Sequence, residues 1–145
     1  MGPGYGAVGD GTPLVLVVAD DTRMLALLRA LLDSFECESV EAENGPRALE
    51  LAASRSPQLI LLDVHMPAMD GMEVLGRLKR DPATKDIPVL MLTGQQETRY
   101  IEAAFKLGAV DYILKPLTCV QFMDIIGKTR TAFGRPLRPR AGGGG

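Results

Sequence analysis

Short apolar runs alternate with segments of helical periodicity along most of this chain, and that alternation limits the folds it can adopt. Runs at 14–19, 59–62, 87–92 and 110–114 have the length of buried strands, and a weaker strand is predicted near 38–42. The intervening segments repeat apolar residues three and four positions apart, which predicts five helices. Strands that alternate with helices are typical of an α/β fold with a parallel sheet covered on both faces.

The apolar face of each predicted helix can be read from this spacing. The first face is expected to contain Met24, Leu27, Leu28, Leu31, Leu32 and Phe35, and the second Ala48, Leu49, Leu51 and Ala52. The last three are marked by Val74, Leu75 and Leu78, by Ile101, Ala104, Phe105 and Leu107, and by Phe122, Ile125, Ile126 and Phe133.

Length, composition and charge predict a single soluble domain. The chain has 145 residues, of which 46% are hydrophobic, and this is enough to fill one core. Its 16 Lys and Arg against 18 Asp and Glu leave a net charge of -2, so a domain-wide basic surface for nucleic acid is not expected. No apolar run approaches the ~20 residues that span a bilayer, and no signal segment is apparent. We expect a cytoplasmic protein that binds neither membrane nor nucleic acid directly.

Both ends of the chain are rich in glycine and proline, which favours disordered tails. Residues 1–13 and 134–145 are assigned to these tails, and the second can also be a linker. The folded domain is therefore expected to span 14–133. Cys37 and Cys119 match no metal-ligand spacing, which indicates two inert, reduced thiols.

Polar residues end the predicted strands, at the edge where an open α/β sheet forms its functional crevice. The first strand ends in Asp20 and Asp21, the third in Asp63, the fourth in Thr93 and the fifth in Lys115. Clustered carboxylates destabilise one another when charged, and a hard cation such as Mg²⁺ relieves that repulsion. A lysine and a hydroxyl beside them suit phosphoryl oxygens better than a carbonyl substrate. Asp63 is then the candidate nucleophile.

Four motifs resemble those of receiver domains from two-component response regulators, over nearly all of residues 14–133. They are ADD after the first strand, LLDVHMPAMDG around the third, MLTG closing the fourth and GAVDYILKP through the fifth. The resemblance implies a flavodoxin-like, doubly wound five-stranded parallel sheet of order 2-1-3-4-5 with five helices. It also implies a phosphorylation-dependent signalling switch, which promotes only its own phosphoryl transfer and slow dephosphorylation.

Residue by residue, the resemblance makes Asp63 the acceptor of a phosphoryl group from a histidine of a histidine kinase or histidine phosphotransfer protein. Mg²⁺ would be held by Asp20, by Asp63 and by the backbone carbonyl of His65. Thr93 and Lys115 would hold the phosphoryl oxygens. The bond between Lys115 and the following proline is expected to be cis.

The resemblance also implies a conformational output. Tyr112 is expected to turn inward as Thr93 moves toward the phosphoryl group, which changes the surface of the fourth helix, fifth strand and fifth helix. That surface would contact a downstream effector protein or domain, or a second copy of the chain in a phosphorylation-dependent dimer. The simpler interpretation is that Thr93 only satisfies a backbone group and Tyr112 is a static, half-buried ring.

Ala19 departs from the family pattern, which usually has two adjacent aspartates after the first strand. Alignment of the first helix without gaps places Asp20 second in that pair and makes Asp21 an extra acid and a further candidate ligand. A shift of one residue would make Asp20 and Asp21 the pair itself. Either residue can instead cap the first helix, and Asp70 is expected to cap the third or to lie in a turn.

Two alternatives to a phosphorylated receiver remain. A pseudo-receiver would keep the fold as a protein-interaction module with little phosphorylation, and Ala19 favours it. An enzyme is disfavoured for two reasons. A phosphatase with an aspartyl nucleophile requires an acidic residue at the position of His65, and a flavoprotein requires a Ser/Thr/Gly-rich phosphate loop after the first strand; neither feature is present. The side chain of His65, a lone histidine, is not expected to bind a transition metal.

Overall fold

Five parallel strands form one sheet in the computed structural model, which describes residues 11–141. The strands are β1 at Leu14–Val18, β2 at Glu38–Ala42, β3 at Leu59–Asp63, β4 at Val89–Thr93 and β5 at Asp111–Leu114. Their order across the sheet is β2-β1-β3-β4-β5. The predicted α/β class, strand order and flavodoxin-like topology are confirmed.

Helices connect the strands and cover both faces of the sheet. They are α1 at Thr22–Leu32, α2 at Gly45–Arg55, α3 at Gly71–Arg80, α4 at Ile101–Leu107 and α5 at Cys119–Lys128, and a 3-10 helix at Gln95–Tyr100 leads into α4. α1 and α5 pack on one face, whereas α2, α3 and α4 pack on the other. The strands β1, β3 and β4 are buried along their whole length, which explains their uninterrupted apolar sequences. No helix within residues 11–141 has the length and apolarity to cross a bilayer.

Polar side chains begin four of the helices by accepting a hydrogen bond from a backbone N–H in the first turn. Asp21 caps α1, Asn44 caps α2, Asp70 caps α3 and Thr118 caps α5. The cap predicted for Asp70 is confirmed, with its Oδ1 accepting from the Glu73 N–H at 2.9 Å. These caps fix where each helix starts relative to the strand that precedes it.

Three predicted helix faces differ from the structure. In α4 the buried residue is Ala104, whereas Phe105 is 45% exposed and Leu107 40%. In α1 the buried side chains are Leu25, Leu28 and Leu32, whereas Leu27 is 40% exposed. Leu27 was assigned to the core because a leucine-rich helix offers more apolar residues than one face can bury. Phe133 lies beyond the end of α5 at Lys128 and is 39% exposed, so it does not belong to that helix.

Residues 134–141 lie against the domain, whereas a disordered tail was predicted for 134–145. They belong to a C-terminal segment, residues 129–141, that crosses the amino ends of the strands. In it Leu137 is buried, the Arg138 carbonyl accepts from the Glu36 N–H at 2.7 Å, and the Ala132 N–H donates to the Gln58 carbonyl at 2.9 Å. Glycine and proline are compatible with an ordered irregular segment when tertiary contacts hold it. Residues 1–10 and 142–145 lie outside the described residues.

Candidate functional site

The carboxyl ends of the strands bring Asp63 and Lys115 into contact. Asp63 is the last residue of β3 and is 3% exposed, while Lys115 directly follows β5. The Lys115 Nζ donates to the Asp63 Oδ1 at 2.7 Å, although 52 positions separate the two residues. A short, charge-assisted hydrogen bond at the mouth of a sheet fixes both side chains in one orientation.

Burial sets the ionisation of Asp63. Removal from water raises the pKa of this carboxyl above its ordinary value of 3.8, and the charge of Asp20 raises it further. The hydrogen bond and charge of Lys115, together with the His65 backbone N–H, lower the pKa without cancelling the effect of burial. Burial thus disfavours the charged form of Asp63, and the Lys115 ammonium opposes that effect.

The donors to Asp63 act on one side of its carboxylate. Lys115 Nζ and the His65 N–H, the latter at 3.0 Å, both donate to Oδ1. The other oxygen, Oδ2, accepts no hydrogen bond from any residue within 11–141. The arrangement holds the carboxylate by one oxygen and leaves the second without a donor among these residues.

The turn after β3 closes tightly beneath the carboxylate. The Gly71 N–H donates to the Val64 carbonyl at 2.9 Å, and a Cβ atom at residue 71 would lie 2.7 Å from the Val64 Cα. That separation is too short for any side chain, so the close approach requires glycine. The segment that follows Asp63 is thus folded back against the end of its own strand.

The three residues after β1 have different environments. Ala19 is completely buried, and its N–H donates to the Ala42 carbonyl at 3.2 Å, so it extends the line of β1. Asp20 is exposed, and its charge contributes to the raised pKa of Asp63. The Asp21 Oδ1 accepts from the Arg23 N–H at 2.8 Å as the α1 cap. These environments favour the alignment without gaps, because the charge of Asp20 acts on Asp63 whereas Asp21 caps α1.

The oxygen donors near Asp63 fit a magnesium ion, although they are few. Within residues 11–141, no cluster of three or more His, Cys, Asp or Glu side chains is arranged to hold a metal. Asp20 and Asp63 would supply two carboxylates, and the His65 carbonyl is the third oxygen that the family resemblance implies. Mg²⁺ binds through one or two carboxylates and keeps several waters, so this set suits it better than Zn²⁺ or Ca²⁺.

Thr93 and Tyr112 line one small cavity between β4, β5 and α4. Thr93 is buried, and its Oγ1 donates to the Gly94 carbonyl at 3.3 Å, a contact that a stronger acceptor can replace. Tyr112 is half-buried, and its ring meets Phe105 edge to face with centroids 6.2 Å apart. The cavity has a volume of about 10 Å³. The two residues predicted to move together are therefore neighbours across the same space.

Tyr100 lines the same cavity and was missed by the sequence analysis. It ends the 3-10 helix at Gln95–Tyr100, where five polar residues precede it, so no apolar periodicity marks it as a wall of the core. The peptide bond between Lys115 and Pro116 is cis, as predicted.

Comparison with known proteins identifies the family of this site. The family model described as "Response regulator receiver domain" matches residues 15–127. The chain is 38% identical over 104 residues to the phosphate regulon transcriptional regulatory protein PhoB of Pseudomonas aeruginosa, covering 72% of this chain and 45% of that protein. It is 41% identical over 103 residues to the response regulator PleD of Caulobacter vibrioides, covering 71% of this chain and 23% of that protein.

Solved structures give the same result. A protein described as a response regulator from Chloroflexus aurantiacus superposes with a TM-score of 0.74 at 30% identity, covering 79% of this chain and 94% of that one. By contrast, the chain spans less than half the length of the curated relatives PhoB and PleD. What those longer proteins do as wholes does not transfer with the matching segment.

Proposed function

Because the chain belongs to the response regulator receiver domain family, a phosphoacceptor family of two-component signalling, we propose that Asp63 takes a phosphoryl group from a histidine of a partner protein. The partner would be a histidine kinase or a histidine phosphotransfer protein. The observation that carries the proposal is the 2.7 Å hydrogen bond from Lys115 to a carboxylate that is otherwise buried at the mouth of the sheet. This hydrogen bond opposes the rise in the Asp63 pKa that burial causes, and so favours the ionised, nucleophilic form of the carboxyl.

In the proposed transfer, the Asp63 Oδ2 attacks the phosphorus atom, a phosphorus–oxygen bond forms and the bond to the histidine nitrogen breaks. The imidazole leaves with the electron pair of that bond. Lys115 then shifts its ammonium from the carboxylate to a phosphoryl oxygen. The same positive charge thus pairs with Asp63 before the transfer and with the phosphoryl group after it. The Thr93 hydroxyl exchanges the Gly94 carbonyl for a second phosphoryl oxygen.

Magnesium would be held by Asp20, Asp63 and the His65 carbonyl. When bound, it supplies positive charge that neutralises the oxygens of the transferred group. Asp20 would have a second effect in the free protein, since its charge raises the pKa of Asp63 until a cation offsets it.

The proposed output is a changed surface on α4, β5 and α5. Phe105 is 45% exposed, Leu107 40% and Val110 46%, so this surface already presents large apolar side chains to solvent. Exposed apolar groups that lie together are typical of docking sites. The occupant would be an effector protein or domain, with a second copy of the chain as the alternative.

A pseudo-receiver is the second candidate, and buried Ala19 favours it. A side chain without oxygen replaces one acid of the usual family pair, which leaves two carboxylates to bind the cation. The protein would then keep the fold and the docking surface while accepting little phosphate.

Incubation with acetyl phosphate, with and without Mg²⁺, tests the proposal. We expect magnesium-dependent labelling that hydroxylamine releases, as it does any acyl phosphate. Asp63→Asn should abolish the label and keep the fold, because a carboxamide has nearly equal volume and is a poor nucleophile. Label that persists in Asp63→Asn would refute the assignment of the acceptor. Wild-type protein that binds its partners but takes no label would establish the pseudo-receiver.

A further inference from the structure

The cavity beside Thr93 and Tyr112 is too small for the ring that the proposed switch places there. Its volume of about 10 Å³ is at the lower limit for one water molecule. A tyrosine ring is several times larger than a water. Part of the wall must therefore move before Tyr112 can turn inward.

Half of the wall consists of buried residues that the fold holds firmly. Val64, Met91, Ala104 and Ala109 are each at most 7% exposed, and close-packed interiors resist such displacement. Tyr100 differs from them, because it is half-buried and ends a 3-10 helix in which no residue is fully buried. Segments with few buried contacts open at low cost. The other lining residues that are not buried belong to regular elements, Ile101 and Phe105 to α4 and Asp111 and Tyr112 to β5. Tyr100 is therefore the part of the wall that can yield without the displacement of α4 or β5.

Arg99 holds Tyr100 in its place from the solvent side. The Arg99 guanidinium carbon lies 4.9 Å from the centroid of the Tyr100 ring, and its Nη2 donates to the Tyr100 Oη at 3.1 Å. The guanidinium makes no other hydrogen bond or ion pair within residues 11–141. Both of its contacts thus act on this one ring.

We propose that Arg99 and Tyr100 form a clamp that controls the inward movement of Tyr112, so that Tyr100 is a positioning residue of the switch. This inference rests on the proposed function. With the clamp closed, Tyr100 fills the wall and Tyr112 stays beside Phe105. When Thr93 moves toward the phosphoryl group, the 3-10 helix, which begins two residues later, is displaced with it. Tyr100 then leaves the wall and the Tyr112 ring gains the space.

Nuclear magnetic resonance of ring-labelled tyrosine tests the clamp, with beryllofluoride and Mg²⁺ as the phosphoryl mimic. The chain has three tyrosines, so Tyr100→Phe assigns one signal by its loss. We expect the Tyr100 and Tyr112 signals of the wild type to shift together. Arg99→Ala should lower the beryllofluoride concentration at half-response by about two- to fivefold, the equivalent of one exposed cation–π contact.

Two further variants separate the clamp from a merely structural role. Tyr100→Phe keeps the ring beneath Arg99 and loses the hydroxyl, so the midpoint should fall by less than in Arg99→Ala. Arg77→Ala is the matched control, because Arg77 is a half-exposed arginine on α3 that pairs with Glu73. Its midpoint should equal that of the wild type. Arg99→Ala should also lower the unfolding temperature slightly, because the contact stabilises the free folded protein, whereas a merely structural role would lower that temperature without moving the midpoint.

The outcomes distinguish the clamp from the function on which it rests. Fluorine resonances report whether beryllofluoride binds at all, and failure to bind would overturn the proposed function and the clamp together. Binding without any response of Tyr112 would overturn the switch and hence the clamp. A Tyr112 response with equal midpoints in wild type and Arg99→Ala, or with a stationary Tyr100, would overturn the clamp alone.

Discussion

The two ends of the sheet are built in opposite ways. At the carboxyl ends of the strands, Asp63 and Lys115 form a charged pair in a place where burial raises the carboxyl pKa. At the amino ends, the C-terminal segment contributes buried Leu137 and main-chain hydrogen bonds. Cys37 lies at this second end, and burial raises the pKa of its thiol to about 11, so it stays protonated and unreactive near neutral pH.

This difference separates reactivity from stability within one small domain. The first end carries groups whose ionised forms the fold disfavours, as sites of chemistry commonly do. At the second end the corresponding group, the Cys37 thiol, stays in its neutral form, and the contacts there stabilise the fold. Substitutions at the first end should therefore alter phosphoryl transfer more than folding, and substitutions at the second should do the reverse.

The largest effect is expected from Lys115→Met, which keeps most of the stem and removes the charge. Loss of this donor should slow labelling of Asp63 by acetyl phosphate about a hundredfold, as for removal of one preorganised donor. Some labelling can persist, but the Tyr112 response should be lost. Unchanged labelling and an unchanged Tyr112 signal would mean that the 2.7 Å contact has no role in transfer.

The same variant has a pH signature with a definite sign. Lys115 lowers the Asp63 pKa, so its removal should raise that already elevated pKa further. The labelling rate should then rise with pH over a higher range than in the wild type. Because the Asp63 pKa is higher in the folded than in the unfolded protein, its ionisation lowers the free energy of unfolding, and this loss is complete above the folded pKa. The lost stability returns as the pH falls through the folded pKa toward the unfolded value of 3.8. Carboxyl carbon resonances of Asp63 measure the shift directly.

Removal of residues 134–145 should have the converse effect at the other end. Loss of buried Leu137 and of the bonds from Arg140 to the Asp33 and Phe35 carbonyls should lower the free energy of unfolding by about 2–4 kcal/mol. Labelling of Asp63 in the folded protein should be unchanged. Leu137→Ala should reproduce much of the loss, whereas Arg138→Ala should not, because Arg138 contacts Glu36 through its main-chain carbonyl. Equal stability of the full and shortened chains in urea titrations would disprove the role of this segment.

Gly71→Ala should depart from this separation, because it lies at the carboxyl ends of the strands and should lower stability as well as phosphoryl transfer. The new Cβ would lie 2.7 Å from the Val64 Cα, so the turn after Asp63 must shift, at a cost of about 1–3 kcal/mol of stability. Labelling of Asp63 should slow as well, because the displaced turn carries the His65 donor. Gly127→Ala is the control, since nothing lies within 4 Å of its Cβ position in α5 and alanine favours a helix by up to about 1 kcal/mol. Comparison of the thermal unfolding of the two variants would show whether the close approach of residue 71 to Val64 affects stability.

The smallest effect is expected from Ala19→Asp. A third carboxylate near Asp20 and Asp63 should tighten Mg²⁺ binding by about three- to tenfold, because affinity grows with ligand charge. Without the ion the variant should be less stable, since residue 19 is fully buried and would carry an unpaired charge. Titration calorimetry measures the affinity. Equal affinities in wild type and variant would favour the shifted alignment, in which Asp20 and Asp21 already form the pair.

Local patterns in the sequence predicted the order of elements and most residues of the site. Strand and helix periodicity depend on neighbouring residues, and parallel strands must meet at their carboxyl ends, so Asp63, Thr93 and Lys115 could be placed at one edge without coordinates. The boundaries and the helix faces were less accurate, because an apolar residue such as Leu27 can lie at the edge of a face and stay exposed.

By itself, the sequence determined the fold class, the strand order through its family motifs, and the residues that end each strand. Only the tertiary structure decided that Asp21 caps α1 while the charge of Asp20 acts on Asp63, that Tyr100 completes the cavity wall, and that residues 134–141 pack against the domain. The physical reason is the range of the interactions. Arg140 bonds to the Asp33 carbonyl across 107 positions of chain, and no local propensity or periodicity encodes a contact whose partner is that distant.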